Sequence, residues 1–232
     1  MREKRGLRAA VVALGLVAAL AGACHAAEEA SVRVQVGRRS MLLPPGYQAS
    51  GERLARHLPE TTRDGHVERV LVRITTPAHR HAWMLLETTD AVGLFQWTSG
   101  CSKLRSDEDS FVHSPFHAND EECVLAFGGV DLAEVMGRVV PDVAEPASRL
   151  GDDSVGYFIQ AQYAKATGAL LKVAVFAPDP FAGAAPGGPP PRNDSGLPDA
   201  IVAWALSLGA EVRSGVRSFS GDWRLPPINE TE

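Results

Sequence analysis

The C-terminal part of the chain carries an apolar stripe with the spacing of one helix face. Its members recur three or four residues apart: Ile201, Ala205, Leu208, Val212, Val216 and Phe219. This spacing predicts an amphipathic helix over residues 199–219, opened by Asp199. A lone helix cannot bury its own stripe, so the rest of the chain must supply an apolar surface. We therefore expect this helix to pack on the body of the protein.

The body, residues 28–177, is dominated by β-type patterns. The strand predictions come from alternating or continuous apolar runs at 32–36, 67–75, 83–88, 92–97, 124–127, 155–164 and 169–177. Thr167-Gly168 is typical of a hairpin turn between the last two runs. Helices enter singly: Ser50 is expected to cap a short helix, and Asp131 with Glu134 is typical of a second helix start.

Most of these strands follow one another through short turns. That order favours an α+β fold, with an antiparallel or mixed sheet and a few helices packed on one side, including the C-terminal amphipathic helix. Residues 178–198 hold seven prolines and four glycines, so they are interpreted as a surface connection without regular structure. Residues 220–232 are expected to form an irregular tail.

The N-terminus has the three parts of a bacterial export signal. Basic residues come first, an apolar stretch over 9–21 follows, and small residues surround a cleavage site between residues 23 and 27. We therefore assign residues 1–26 to a leader and expect the protein outside the cytoplasm, in the periplasm or secreted. Cys24 is a lipidation candidate, which would anchor the mature chain to a membrane as a lipoprotein. Cleavage after Ala26 would instead remove Cys24 with the leader.

Cysteine counting then leaves Cys101 and Cys123. In an exported protein two remaining cysteines predict one disulfide, because such bonds form and persist outside the cytoplasm. The segment between them is strongly polar, so the sequence predicts a stapled surface loop rather than two core thiols.

This loop is acidic at both ends. Its carboxylates form two clusters, Asp107, Glu108 and Asp109, and Asp120, Glu121 and Glu122. A shaped acidic surface can steer and bind a basic partner, so these six residues are the predicted binding residues, with another envelope protein as the partner. The chain carries a net charge of −5, which gives no reason to expect nucleic acid binding.

Histidines provide the alternative. His113 and His117 are four residues apart, and His79 and His81 are two apart, so the four are weak metal-ligand candidates. Pro115 lies between His113 and His117 and disfavours a regular helix there. The spacing of this pair therefore does not imply that the two side chains share a helix face. No metal and no cofactor are therefore predicted.

Common catalytic motifs are missing from the sequence. It contains no G-x-S-x-G, H-E-x-x-H, P-loop, G-x-G-x-x-G or C-x-x-C pattern. The leading hypothesis is an exported envelope protein that acts as a non-catalytic binding module, with an inhibitor-like variant in which the acidic loop fills a basic cleft. The alternative is an extracytoplasmic hydrolase, with or without zinc, that uses His113, His117 and nearby carboxylates.

Overall fold

The computed structural model describes residues 32–54, 67–89, 110–115, 120–143, 145, 150, 155–178 and 195–228. These belong to one compact unit, Val32–Glu232. The strands, in chain order, are β1 (Arg33–Val36), β2 (Arg39–Leu42), β3 (Gln48–Arg53), β4 (Glu68–Thr75), β5 (His81–Thr89), β6 (Ser110–His113), β7 (Asp120–Asp131), β8 (Val155–Lys165), β9 (Leu170–Pro178) and β10 (Asp222–Arg224). The helices are α1 (Leu132–Val139) and α2 (Asp199–Arg217).

Seven of these strands form one antiparallel sheet in the order β3-β4-β5-β9-β8-β7-β6. The predicted hairpin between the long apolar runs is confirmed as β8 and β9. Its turn contains Gly168 at φ 102°, a backbone angle that glycine adopts without steric cost, and the Gly168 N–H donates to the Lys165 carbonyl at 2.9 Å. The α+β class predicted from the sequence fits this architecture.

Both faces of the large sheet are buried along its inner strands. Along β7, Val124 and Ala126 belong to the apolar cluster under α2, whereas Leu125 and Phe127 belong to the cluster under α1. Since side chains alternate between the faces of a strand, a continuous apolar run has to be covered on both sides. The prediction that the helices pack on one side is therefore wrong: α1 and α2 cover opposite faces.

The start of α1 confirms the predicted cap. The Asp131 carboxylate accepts hydrogen bonds from the backbone N–H groups of Ala133 and Glu134, at 2.9 and 3.1 Å. These bonds satisfy two of the donors that a helix N-terminus leaves without intrahelical partners. Leu132 and Met136 then project into the apolar cluster, so that the helix is both capped and anchored within eight residues.

The C-terminal helix α2 is confirmed, with two differences at its ends. Pro198 rather than Asp199 occupies the N-cap position, and it provides no side-chain cap. The helix ends at Arg217, so Phe219 is not part of the buried stripe and is fully exposed. The other five members of the predicted stripe are buried against the sheet: Ile201, Ala205, Leu208, Val212 and Val216.

A second, three-stranded sheet packs beside α2, in the order β1-β2-β10. β1 and β2 form an antiparallel hairpin, while β10 runs parallel to β2 and carries the buried Trp223. The C-terminal tail is thus not wholly irregular, because residues 222–224 complete this sheet. Ser50, which was expected to cap a helix, lies instead in β3, where cross-strand pairing with Arg73 of β4 overrides the local capping signal.

The surroundings predicted for the two cysteines require correction. Cys123 is the one cysteine among the described residues, and the predicted Cys101–Cys123 pairing lies outside them because Cys101 does. Cys123 does not mark the base of a surface loop: it is fully buried in β7 and belongs to the apolar cluster under α1. The prediction treated residues 102–122 as one polar loop, whereas β7 begins at Asp120, so the last three of them belong to the sheet.

Candidate functional site

The predicted acidic residues divide into two groups. Asp107, Glu108 and Asp109 lie outside the described residues. Asp120, Glu121 and Glu122 form the beginning of β7, where they pair in register with the end of β8. The structure therefore places the second cluster on a strand, not in a projecting loop.

Two of these three carboxylates face arginines of α2. Asp120 accepts a hydrogen bond from the Tyr163 hydroxyl, and its Oδ2 lies 3.4 Å from Nη2 of Arg217. Glu122, whose side chain is only 5% exposed, pairs with Nη1 of Arg213 at 3.0 Å. Both ion pairs join the last turns of α2 to the sheet, so these carboxylates already have cationic partners within the chain.

Glu121 points to the opposite face of β7. Its Oε2 is buried and has no hydrogen-bond partner in the part of the chain that the structure describes. Burial disfavours the charged form of a carboxyl group, and it raises the pKa of Glu121 above the ordinary value of 4.5. The surroundings of Glu121 therefore favour the protonated form of its carboxyl group.

The described histidine candidates are not brought together. His113 ends β6 at one edge of the large sheet, His117 lies outside the described residues, and His81 begins β5, just after His79 in the preceding turn. Three strands separate β5 from β6, which places His81 and His113 at least about 19 Å apart across the sheet. Among the described residues no group of three or more potential metal ligands is found.

A charged network on the α1 face was missed by the sequence analysis. The Arg69 side chain, 6% exposed, contacts Oε1 of Glu87 at 3.0 Å and both carboxylate oxygens of Asp142 at 2.8 Å. Lys172 contacts the other oxygen of Glu87 at 2.8 Å. A signal was available, since Arg69, Glu87 and Lys172 each interrupt an apolar strand. Only the register of the three strands shows that these charged residues lie next to one another.

The described residues also line a groove between the two sheets, with a volume of about 240 Å³. We call it the β1–β3 groove. One wall is the edge strand β1 with the residue before it, the other is β3, and Val70 and Val72 of β4 form the floor. Its lining residues are Val32, Arg33, Val34, Gln35, Ala49, Gly51, Glu52, Arg53, Val70 and Val72.

The wall formed by β1 is a strand edge. β1 pairs only with β2 in the described sheet, and the Leu43 N–H donates to the Val32 carbonyl at 2.9 Å. With this register, Val32, Val34 and Val36 exchange backbone hydrogen bonds with β2, because such pairs alternate along an antiparallel ladder. The backbone N–H and C=O groups of Arg33 and Gln35 consequently point away from β2.

Two arginines flank the groove. Arg33 pairs with Asp222 at 3.3 Å and Arg53 with Glu68 at 3.8 Å, and the arginine side chains are 56% and 69% exposed. Pairs this exposed contribute little to stability, and each guanidinium has five N–H donors. Both arginines are thus able to engage a further carboxylate. The sequence shows Arg33 and Gln35 alternating with valines, but nothing in it places β1 beside β3.

No helix of the described residues has both the length and the apolar character required to cross a membrane. Comparisons with protein families, with curated proteins and with solved structures find no match to this chain.

Proposed function

We propose that this protein is an exported, non-catalytic binding module of the bacterial cell envelope, and that it holds another envelope protein in the β1–β3 groove. The observation that carries the proposal is the groove itself, in which a strand edge that is unpaired within the described residues borders an apolar floor between two exposed arginines. Edge strands of this kind bind extended segments through main-chain hydrogen bonds, and neighbouring pockets supply specificity.

In this proposal the acidic residues of β7 have a structural role and do not form the main contact. Asp120 and Glu122 are engaged by Arg217 and Arg213, so they stabilise the position of α2. A basic partner for Asp107, Glu108 and Asp109 remains a prediction from the sequence. We therefore assign the main contact to the groove.

Export is supported by the N-terminal leader, residues 1–26. Its basic start, apolar stretch and small residues are typical of bacterial secretion. The intact mass of the protein, produced with its own leader in a bacterial host, tests this part. A mature chain that begins at Cys24 with added lipid mass is the lipoprotein form, and one that begins near Ala27 is the soluble form. An uncut leader contradicts export.

Site-specific photocrosslinking in the native host tests the groove. A benzoylphenylalanine at Gln35, which is exposed beside the groove, is expected to crosslink one dominant envelope protein. The matched control places the same photoreactive residue at Arg138 of α1, which is 75% exposed on the opposite face of the large sheet. The crosslinked protein is then identified by mass spectrometry.

A competition step makes the result specific. The purified mature protein, added in excess to the envelope fraction, is expected to reduce the Gln35 crosslink and to leave any Arg138 product unchanged. Equal crosslinking from both positions, or no crosslink from Gln35, contradicts the groove as the contact surface.

A further inference from the structure

We infer that the β1–β3 groove binds its partner by strand addition, with an extended segment of alternating apolar and carboxylate side chains paired to the edge of β1 that points away from β2. This inference rests on the proposed function and gives it a binding mode and a ligand chemistry. The ligand is a segment of another protein in an extended conformation.

Main-chain groups set the binding mode. The N–H and C=O groups of Arg33 and Gln35 point away from β2, two residues apart, as in any antiparallel edge. An incoming strand satisfies all four groups at once. It would become the fourth strand of the small sheet, next to β1.

The space beside β1 suits such a strand. β1 contacts β4 and β5 of the large sheet, and a neighbouring strand lies about 4.8 Å further along the hydrogen-bonding direction. That shift carries it over Val70 and Val72 toward Ala49 and Gly51 of β3, which line the groove. Gly51 adds no side chain to this wall, and a Cβ at this position would lie 2.7 Å from the Leu71 carbonyl oxygen of β4.

Alternation then determines the side-chain chemistry. Val34 and Val36 face the core while Arg33 and Gln35 face outward, so an added strand presents every second side chain to the apolar floor. The intervening side chains lie next to the Arg33 guanidinium, where a carboxylate is favoured.

Charges around the β3 wall agree with this assignment. Arg53 shares a strand face with Ala49 and Gly51, whereas alternation directs the Glu52 side chain to the other face. The carboxylates near the two arginines, Asp222 and Glu68, form only exposed pairs with them. A ligand carboxylate can replace these pairs at little cost.

One substitution separates strand addition from other modes of groove binding. Gln35→Pro removes a backbone N–H that faces the groove, and it leaves the hydrogen bonds between β1 and β2 intact, because Gln35 is not a hydrogen-bonded position of that ladder. Gln35→Ala is the matched control, since it deletes the side chain and retains the N–H. Thermal unfolding of both variants checks that the fold is retained.

The probes are two acetylated and amidated peptides, Thr-Val-Glu-Val-Thr and Thr-Val-Lys-Val-Thr. NMR titration of the ¹⁵N-labelled mature chain is expected to show that the Glu peptide shifts resonances of β1, β3 and β4. Gln35→Pro is expected to weaken binding of the Glu peptide about tenfold, because one main-chain hydrogen bond to the peptide is lost. Gln35→Ala is expected to change this affinity less than about twofold. Arg33→Glu is expected to reverse the preference in favour of the Lys peptide.

The outcomes separate the two proposals. Equal binding to the Gln35→Pro and Gln35→Ala variants overturns strand addition and leaves the groove as a binding site. Shifts confined to other surfaces, or no binding of the Glu peptide at millimolar concentration, overturn the inferred ligand chemistry, and the photocrosslinking result then reports on the groove by itself. Equal affinity for the two peptides overturns the role of Arg33.

Discussion

Arg217 near the end of α2 donates a hydrogen bond from Nε to the phenolic oxygen of Tyr163 on β8, at 2.9 Å, and its guanidinium carbon lies 5.2 Å from the centroid of the same ring. The Tyr163 hydroxyl donates in turn to Asp120 of β7. One buried phenol thus connects a helix to two strands. Burial, followed by the hydrogen bond to Asp120, raises the pKa of Tyr163 above the ordinary value of 10.0.

Tyr163→Phe is expected to change the pH dependence of stability. Because the folded protein holds the phenol proton more tightly than the unfolded chain, Tyr163 contributes stability that is complete below pH 10 and decreases as the pH rises toward its raised folded pKa. The variant should lose about 0.5–1.5 kcal/mol near pH 8 and decline less steeply above pH 10. Urea unfolding at several pH values provides the measurement, and parallel curves for the two proteins would contradict the assignment.

Glu121→Gln should stabilise the protein at neutral pH. The raised pKa means that the folded state favours the protonated carboxyl group, so the wild-type side chain lowers stability as the pH rises above 4.5. The glutamine variant is uncharged at every pH, and its advantage should be largest at pH 7 and shrink toward pH 4. Subtracting the two unfolding free energies at each pH removes the contribution of the other carboxyl groups, which is the same in both proteins. An advantage independent of pH would show that Glu121 is not the titrating group.

Arg213→Ala tests the ion pair between α2 and β7. Its removal leaves the Glu122 carboxylate buried without this cationic partner, and we expect a loss of about 1–3 kcal/mol in the free energy of unfolding. Arg138→Ala is the matched control, since its pair with Glu134 is exposed on α1 and should contribute less than about 0.5 kcal/mol. Equal effects of the two substitutions would argue against a role for Arg213 in docking α2.

Gly215→Ala tests the packing of α2 against the small sheet. Alanine favours a helix by about 1 kcal/mol, but here its Cβ would lie 2.9 Å from Cβ of Trp223. Overpacking should outweigh the helix propensity and destabilise the protein by about 1–3 kcal/mol, measured by denaturant unfolding. Ser214→Ala, at the exposed neighbouring position, should leave stability unchanged or raise it slightly. A stabilised Gly215→Ala variant would contradict this close packing.

Only part of the β1–β3 groove was predictable from the sequence. The alternation of Arg33 and Gln35 with valines predicted a strand with one polar and one apolar side, and the structure confirms it. The position of that strand beside β3 depends on how two separate sheets pack, and no spacing within residues 32–53 encodes it. The acidic cluster shows the converse, because Glu122 and Arg213 are 91 residues apart and their pairing follows from the docking of α2.

By itself the sequence determined the elements whose signals are local. The Asp131 cap, the β8–β9 hairpin and the stripe of α2 each depend on residues a few positions apart, so periodicity and turn chemistry were sufficient. Only the tertiary structure decided that α1 and α2 cover opposite faces, that residues 48–53 form a strand, and that β10 pairs with β2. These features depend on contacts between distant segments, whose free energy comes from burial and register across the assembled sheets rather than from neighbouring residues.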